Sequence, residues 1–337
     1  MGAALARSGL GKRTALATAT LLIGANLPDL DIVASLDGPA GDLAFRRGST
    51  HGILALAVLP VLLTGGMLLF DRVIRRASRS SLPSGVVPLQ VLFLAFIAVL
   101  THPILDTLNT YGVRWLMPFS GRWFYGDTLF IVDPWMWLAL GAGVALSRGR
   151  RGIREHALAG GRPARVGLAV ATAYVLVMAG SALVARRIAV RELVALTGAP
   201  VDALMAAPVA VSPLVRRVVA AQADSYRVAT FRWLRRPHLD PGSLRTYPRE
   251  RPGSPTVVAA AATSLGRRFL SWARFPVFSV ESAGSATLVH IVDLRYAERP
   301  GSGFGAVTIS LAGPPASAPL PGTRPASAAA GPAAPSP

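Results

Sequence analysis

Four apolar runs, residues 52–70, 86–105, 129–147 and 166–184, each come close to the ~20 residues that an α-helix needs to cross the hydrocarbon core of a bilayer. An earlier run, 14–36, has similar length but is interrupted by Pro28, Asp29 and Asp31. With 52% hydrophobic and only 15% charged residues, the composition points the same way, to a chain built for lipid. The first run follows Lys12 and Arg13 and contains "LLIGA", as a signal peptide would, but four more apolar runs rather than a polar mature domain come after it. The reading is therefore an α-helical polytopic membrane domain of about five spans over residues 1–184.

Charge sets the orientation. The segment 71–85 carries Arg72, Arg75, Arg76 and Arg79 against one acid, and 148–165 carries six Arg against one acid, so both are expected in the cytoplasm of an inner-membrane protein. Segments 37–51 and 106–128 balance acids and bases and fall outside. Five spans then send residues 185–313 to the extracytoplasmic side. There, runs such as "VRRVVAAQ", "SYRVATFRW" and "ATLVHIVDLRY" alternate with a period of two around one or two helices. They predict a smaller α+β domain with a mostly antiparallel sheet. Residues 314–337, rich in Pro and Ala, cannot bury a core and read as a disordered tail. The net charge of +18 comes with no basic run interleaved with stacking aromatics, and no nucleic-acid partner is expected. The chain has no cysteine, so any metal must be held by His, Asp, Glu or main-chain oxygen.

Three polar clusters sit at the ends of the apolar runs, and the expected topology places all of them on the outer side. "NLPDLD" supplies Asp29 and Asp31, which lie in a turn because Pro28 discourages regular helix before them. Both carboxylates could face one pocket there, or Asp29 could simply cap the next helix with Asp31 in solvent. "RRGSTHG" supplies Arg47 and His51, and "THPILD" supplies His102 and Asp106. Each of these pairs has i, i+4 spacing, which puts both members on one helical face. Asn109, Tyr111, Asp127 and Asp133 follow in a stretch rich in aromatics, with Asp133 read as a support for a ligating His or as a helix break. His156, His238 and His290 have no partners at ligand spacing.

The elements "PDLD", "RGSTH", "THPILD", "NTYG" and "MPFS", spread over about residues 20–135, together resemble the predicted membrane-bound metal-dependent hydrolases of the YdjM-like or YbcI-like group. The resemblance implies a site made of Asp29, Asp31, Arg47, His51, His102 and Asp106. His51, His102 and Asp106 would ligate a divalent metal ion, zinc foremost, with one of Asp29 and Asp31 a ligand and the other a general base. Arg47 would hold an anionic group, and the membrane setting suggests a lipid or phosphoester substrate. The rival reading is a non-catalytic membrane protein whose outer domain binds a partner. The resemblance also implies a Thr-His element just before "GAALA", and an upstream extension containing that His is expected.

Overall fold

The computed structural model describes residues 1–37, 43, 45–75, 85–147, 161–249, 254–284, 286–299 and 303–312, and the fold is that of these residues. His156, the 314–337 tail and most of the two Arg-rich segments lie outside them. The amino-terminal region is helical: α1 (Gly2–Arg7), α2 (Ala17–Gly24), α3 (Ile53–Phe70), α4 (Pro88–Thr107), α5 (Pro134–Leu146) and α6 (Arg162–Thr197). Three stretches are long and apolar enough to cross a membrane, namely Ile53–Val73, Pro88–Thr107 and Arg162–Thr197. The first apolar run breaks at Ala25 and Asn26. There α2 gives way to a 3-10 segment, Leu27–Asp37, and the two apolar pieces bend by 42°, as a broken span or a re-entrant loop. Three to four candidate spans among the described residues thus replace the five expected.

The 129–147 run gives a helix shorter than a full span for a local reason. The amides of Thr128 and Leu129 both donate to the Leu108 carbonyl, at 2.8 and 2.9 Å, which folds the start of the 129–147 run into a turn. Asp133 then caps α5 by accepting from the amides of Trp135 and Met136, with Pro134 at the first helical position. What remains is a helix of 13 residues, about 20 Å long against a hydrocarbon core of about 30 Å. In the other direction, the last expected span, 166–184, continues without a break as one helix to Thr197. α6 has 36 residues and a length of about 54 Å. Leu176, Val177 and Leu183 are exposed along its apolar half, as lipid-facing residues would be. Ala185, Ala189 and Leu193, four residues apart on one face, are buried against a sheet.

The carboxy-terminal domain has two antiparallel sheets where the sequence suggested one. The first joins β1 (Ala203–Pro208), β2 (Val215–Gln222), β3 (Ser225–Arg232), β4 (His238–Leu239) and β5 (Arg245–Pro248), with β2 central between β1 and β3. Alternation along the strands sorts its two faces. Leu204, Ala206, Val218, Ala220 and Phe231 pack on α6, while Met205, Ala207, Val219, Ala221 and Val228 pack on Phe275 and Leu294. The second sheet, β6 (Pro276–Ala283), β7 (Ala286–Asp293) and β8 (Ala306–Ala312), rests on α7 (Pro255–Ala262) and α8 (Ser264–Trp272). Arg216 on β2 is fully buried and joins the domain to the helices. It donates to the carbonyls of Met178 on α6 (2.8 Å) and Ala206 on β1 (3.0 Å), and burial pulls its pKa down to about 10.

Helices α5 and α6 pack backbone to backbone at Gly143 and Gly167, where a Cβ on Gly167 would stand 2.7 Å from the Ala139 carbonyl oxygen. Gly180, on the same helix, has open space at the equivalent position. Gly167→Leu is therefore expected to cost about 1–3 kcal/mol or more through overpacking. Gly180→Leu leaves stability unchanged or slightly raised by helix propensity. Thermal unfolding of the two variants in detergent checks the difference.

Candidate metal centre

The end of α4, the start of α3 and the turn after α2 meet at one point. Pro103 removes an amide donor within α4, yet the helix continues to Thr107, so His102 and Asp106 keep their i, i+4 relation with His102 Nε2 3.4 Å from Asp106 Oδ2. His51 stands just before α3 and its side chain is fully buried. Its Nε2 lies 3.3 Å from Asp106 Oδ2 and 4.0 Å from Asp29 Oδ1. Asp29, from the 3-10 segment, closes the group at 3.4 Å from His102 Nε2. One donor atom from each of Asp29, His51, His102 and Asp106 fits within a span of 4.8 Å.

These separations fit donors that share a metal ion. Direct charge-assisted hydrogen bonds run to about 2.7–2.9 Å, shorter than any of the four. Tetrahedral ligands placed ~2.0–2.1 Å from a zinc ion stand about 3.3–3.4 Å from one another, and three of the four separations match. His51 Nε2 and Asp106 Oδ2 are buried with no hydrogen-bond partner, an expensive arrangement unless something else sits between them.

The surrounding contacts fix which atoms point inward. His102 Nδ1 lies 2.8 Å from the Ala25 carbonyl, which can only accept, so Nδ1 carries the proton and Nε2 presents its lone pair to the cluster. His51 Nδ1 faces Thr50 Oγ1 at 3.0 Å and Asp31 Oδ2 at 3.4 Å, and Thr50 itself donates to Asp31. His51 is thereby held in the same tautomer as His102. Burial lowers the His51 pKa, but Asp106 and Asp31 outweigh it and hold the ring above its ordinary value, so protons compete with a cation there as pH falls.

The sequence-derived residues divide accordingly. Asp29, His51, His102 and Asp106 face one another, and Asp29 is the exposed member, with half of its side chain in solvent. Asp31 is nearly fully buried behind His51, outside the group of four, and accepts the Arg47 amide at 2.8 Å. Arg47 holds Asp106. Its Nη2 lies 3.0 Å from Asp106 Oδ1, which leaves Oδ2 for the histidines, while Nη1 donates to Asn109 Oδ1 at 3.0 Å and the guanidinium covers the Tyr111 ring at 4.7 Å. The Arg47 backbone takes the left-handed conformation, φ +50°, which is strained for a non-glycine residue and is pinned by hydrogen bonds at both its N–H and its C=O.

Thr50 and Thr101 each precede a clustered histidine but are not equivalent, because Thr101 bonds back to the Ala98 carbonyl of its own helix. Asp133 caps α5 and accepts from Tyr174, and Asp127 pairs with Arg274, so neither supports a histidine ligand. His238 bonds a local carbonyl and His290 bonds Thr308 and Glu281 on the second sheet. The Ala25 carbonyl has no signature in sequence. Beside Asp106 and Asn109 opens a cavity of about 330 Å³ with mainly apolar walls from α1, α4, the turn before α5 and α5 itself, among them Leu105, Leu129, Met136, Trp137 and Leu140.

Purified in detergent, the protein is expected to carry a divalent metal that His102→Ala or Asp106→Ala removes. Asp31→Asn retains it with affinity lowered about ten- to a hundredfold, as for other loosened supports of a ligating His. Elemental analysis after chelator dialysis distinguishes these outcomes, and equal metal content in all forms contradicts the assignment.

Comparison with known proteins agrees with the helical region. Over 125 residues the chain is 27% identical to the uncharacterized protein YfhP of Bacillus subtilis (strain 168), which covers 37% of this chain and 35% of that protein. The chain therefore spans about a third of the length of that relative. No solved structure matches it. Residues 1–189, which hold the four clustered donors and all six helices except the end of α6, match the family described as YdjM inner membrane protein, and the chain belongs to that family.

Proposed function

We propose that the protein is an integral-membrane, metal-dependent hydrolase acting on an anionic or lipid-linked ester, with zinc the leading candidate metal. The observation that carries the reading is the set of donor separations at His51, His102, Asp106 and Asp29, longer than the usual charge-assisted hydrogen bond and suited to a shared ion. His51, His102 and Asp106 would hold the metal, and two nitrogens with carboxylate oxygens suit zinc. Held by these residues, a divalent ion would supply Lewis-acid polarisation of an ester oxygen and a bound water with its pKa lowered towards about 7.

The protein groups have separate tasks. Asp29, the exposed donor, stands where substrate and water can enter, and serves as fourth ligand or as the base that takes a proton from water. Asp31 fixes the His51 ring. Arg47 orients Asp106, and its charge favours an anionic substrate in the same space. The apolar cavity beside Asp106 suits a substrate that brings a hydrocarbon chain. In this reading α5, short as it is, crosses together with α6, so that the site and the carboxy-terminal domain both face the extracytoplasmic side of the inner membrane, with the Arg-rich segments in the cytoplasm.

Phosphatidate in mixed micelles and p-nitrophenyl phosphate in solution are suitable first probes. Release of phosphate or nitrophenol by the zinc-loaded protein is expected. Asp29→Asn should lower kcat about 10²- to 10⁴-fold while metal stays bound, as for loss of a general base. Full metal occupancy with no hydrolysis of lipid or soluble phosphoesters and carboxylic esters contradicts the hydrolase reading.

A further inference from the structure

The carboxy-terminal domain does not hang free of the helices. Arg295, just after β7, is buried with Asp293, and its guanidinium is spread over two distant segments. Nη1 donates to the Thr110 carbonyl at 2.7 Å, Nη2 to the Trp272 carbonyl at 2.8 Å, and Nε to Asp293 Oδ2 at 2.8 Å. Trp272, at the end of α8, donates its indole N–H to the Tyr111 carbonyl at 3.2 Å, and Tyr296 Oη stands 3.1 Å from Thr110 Oγ1. Three side chains of the domain thus grip two consecutive residues of the loop that follows α4.

That loop is the support of Arg47. Asn109 Oδ1 accepts from Arg47 Nη1 and from the Tyr111 amide, and the Tyr111 ring lies under the guanidinium while packing on Trp272 at 5.0 Å. A second line reaches the Arg47 backbone. Its carbonyl accepts from the Arg114 amide, and the Arg114 guanidinium sits 4.8 Å from the ring of Trp123, which packs against the α8 and second-sheet core. Arg47 in turn fixes Asp106.

We infer that Arg295, Trp272 and Tyr296 are positioning residues of the site, acting through Thr110, Tyr111 and Arg47 on the orientation of Asp106. The carboxy-terminal domain completes the site, and the two are one functional unit. The inference stands on the contacts themselves; only its metal readout rests on the metal-centre reading above.

Tyr296→Phe and Thr110→Val each remove one hydroxyl and keep the packing, whereas Arg295→Lys keeps the charge and loses the fork. Hydrogen exchange of the full-length protein in detergent should speed up at the amides of residues 46–51 and 108–114, by about tenfold in Arg295→Lys and severalfold in the hydroxyl variants, as local opening becomes easier. The zinc dissociation constant should rise about tenfold in Arg295→Lys, the lower end of what loss of a supporting contact does. Tyr296→Phe and Thr110→Val combined should do little more than either alone. His290→Ala, which alters the second sheet away from the loop, should change neither readout.

Wild-type exchange at 46–51 in a folded Tyr296→Phe, or in Arg295→Lys where it folds, overturns the inference. If the wild type takes up no metal, the metal-centre reading fails and the exchange arm still decides this one. Faster exchange with unchanged zinc affinity confines the domain to bracing the loop and overturns its role in placing Asp106.

Discussion

Two imidazoles and two carboxylates bring single atoms close to one another, at separations that leave room for a shared ion and are long for direct charge-assisted hydrogen bonds. This is the constraint that the rest of the structure serves. Each of the three most buried donors is turned by a neighbour that consumes its other end: Ala25 for His102, Asp31 with Thr50 for His51, and Arg47 for Asp106. Without those partners each ring or carboxylate could rotate and relieve its buried, unpaired atom. Asp29 alone is half exposed, which gives the cluster one open side, as a catalytic rather than a structural metal site would have.

The helices make this possible by meeting at the ends of the candidate spans. α3 begins and α4 ends at the site, and the bend after α2 brings Ala25, Asp29 and Asp31 to the same place. Charged and unpaired polar groups are costly inside the hydrocarbon core, and helix ends let them sit where solvent can be reached from one side. The long α6 returns the chain to the domain that packs on the loop after α4, so the segments holding Arg47 and Asn109 are supported from both directions.

Part of the candidate site was legible in the sequence, because helical periodicity puts His102 and Asp106 on one face; Arg47 and His51, also expected on one helical face, lie instead in turns before α3. The spacing of His102 and Asp106 survives Pro103, and the Asp29–His51–His102–Asp106 group comes together as the motifs suggested. The division of labour between Asp29 and Asp31 was not legible, since it depends on a turn whose dihedral angles Pro28 only narrows. Nor was the Ala25 carbonyl, because every residue carries one. At 129–147 the helix is shorter than expected, because hydrophobicity persists through a turn held by a backbone carbonyl, and the α+β domain resolved into two sheets rather than one. The grip of Trp272 on Tyr111 joins residues 161 positions apart, and no local pattern announces such a contact.

The central claim is that His51, His102 and Asp106 share one ion, with Asp29 beside it. X-ray absorption at the metal edge of the zinc-loaded, detergent-purified protein tests it most directly. The account predicts a first shell of nitrogen and oxygen near 2.0–2.1 Å, with the outer scattering of two imidazole rings, reduced to one ring or lost with the metal in His51→Ala. A shell of oxygen alone, or an imidazole pattern unchanged by that substitution, would contradict it.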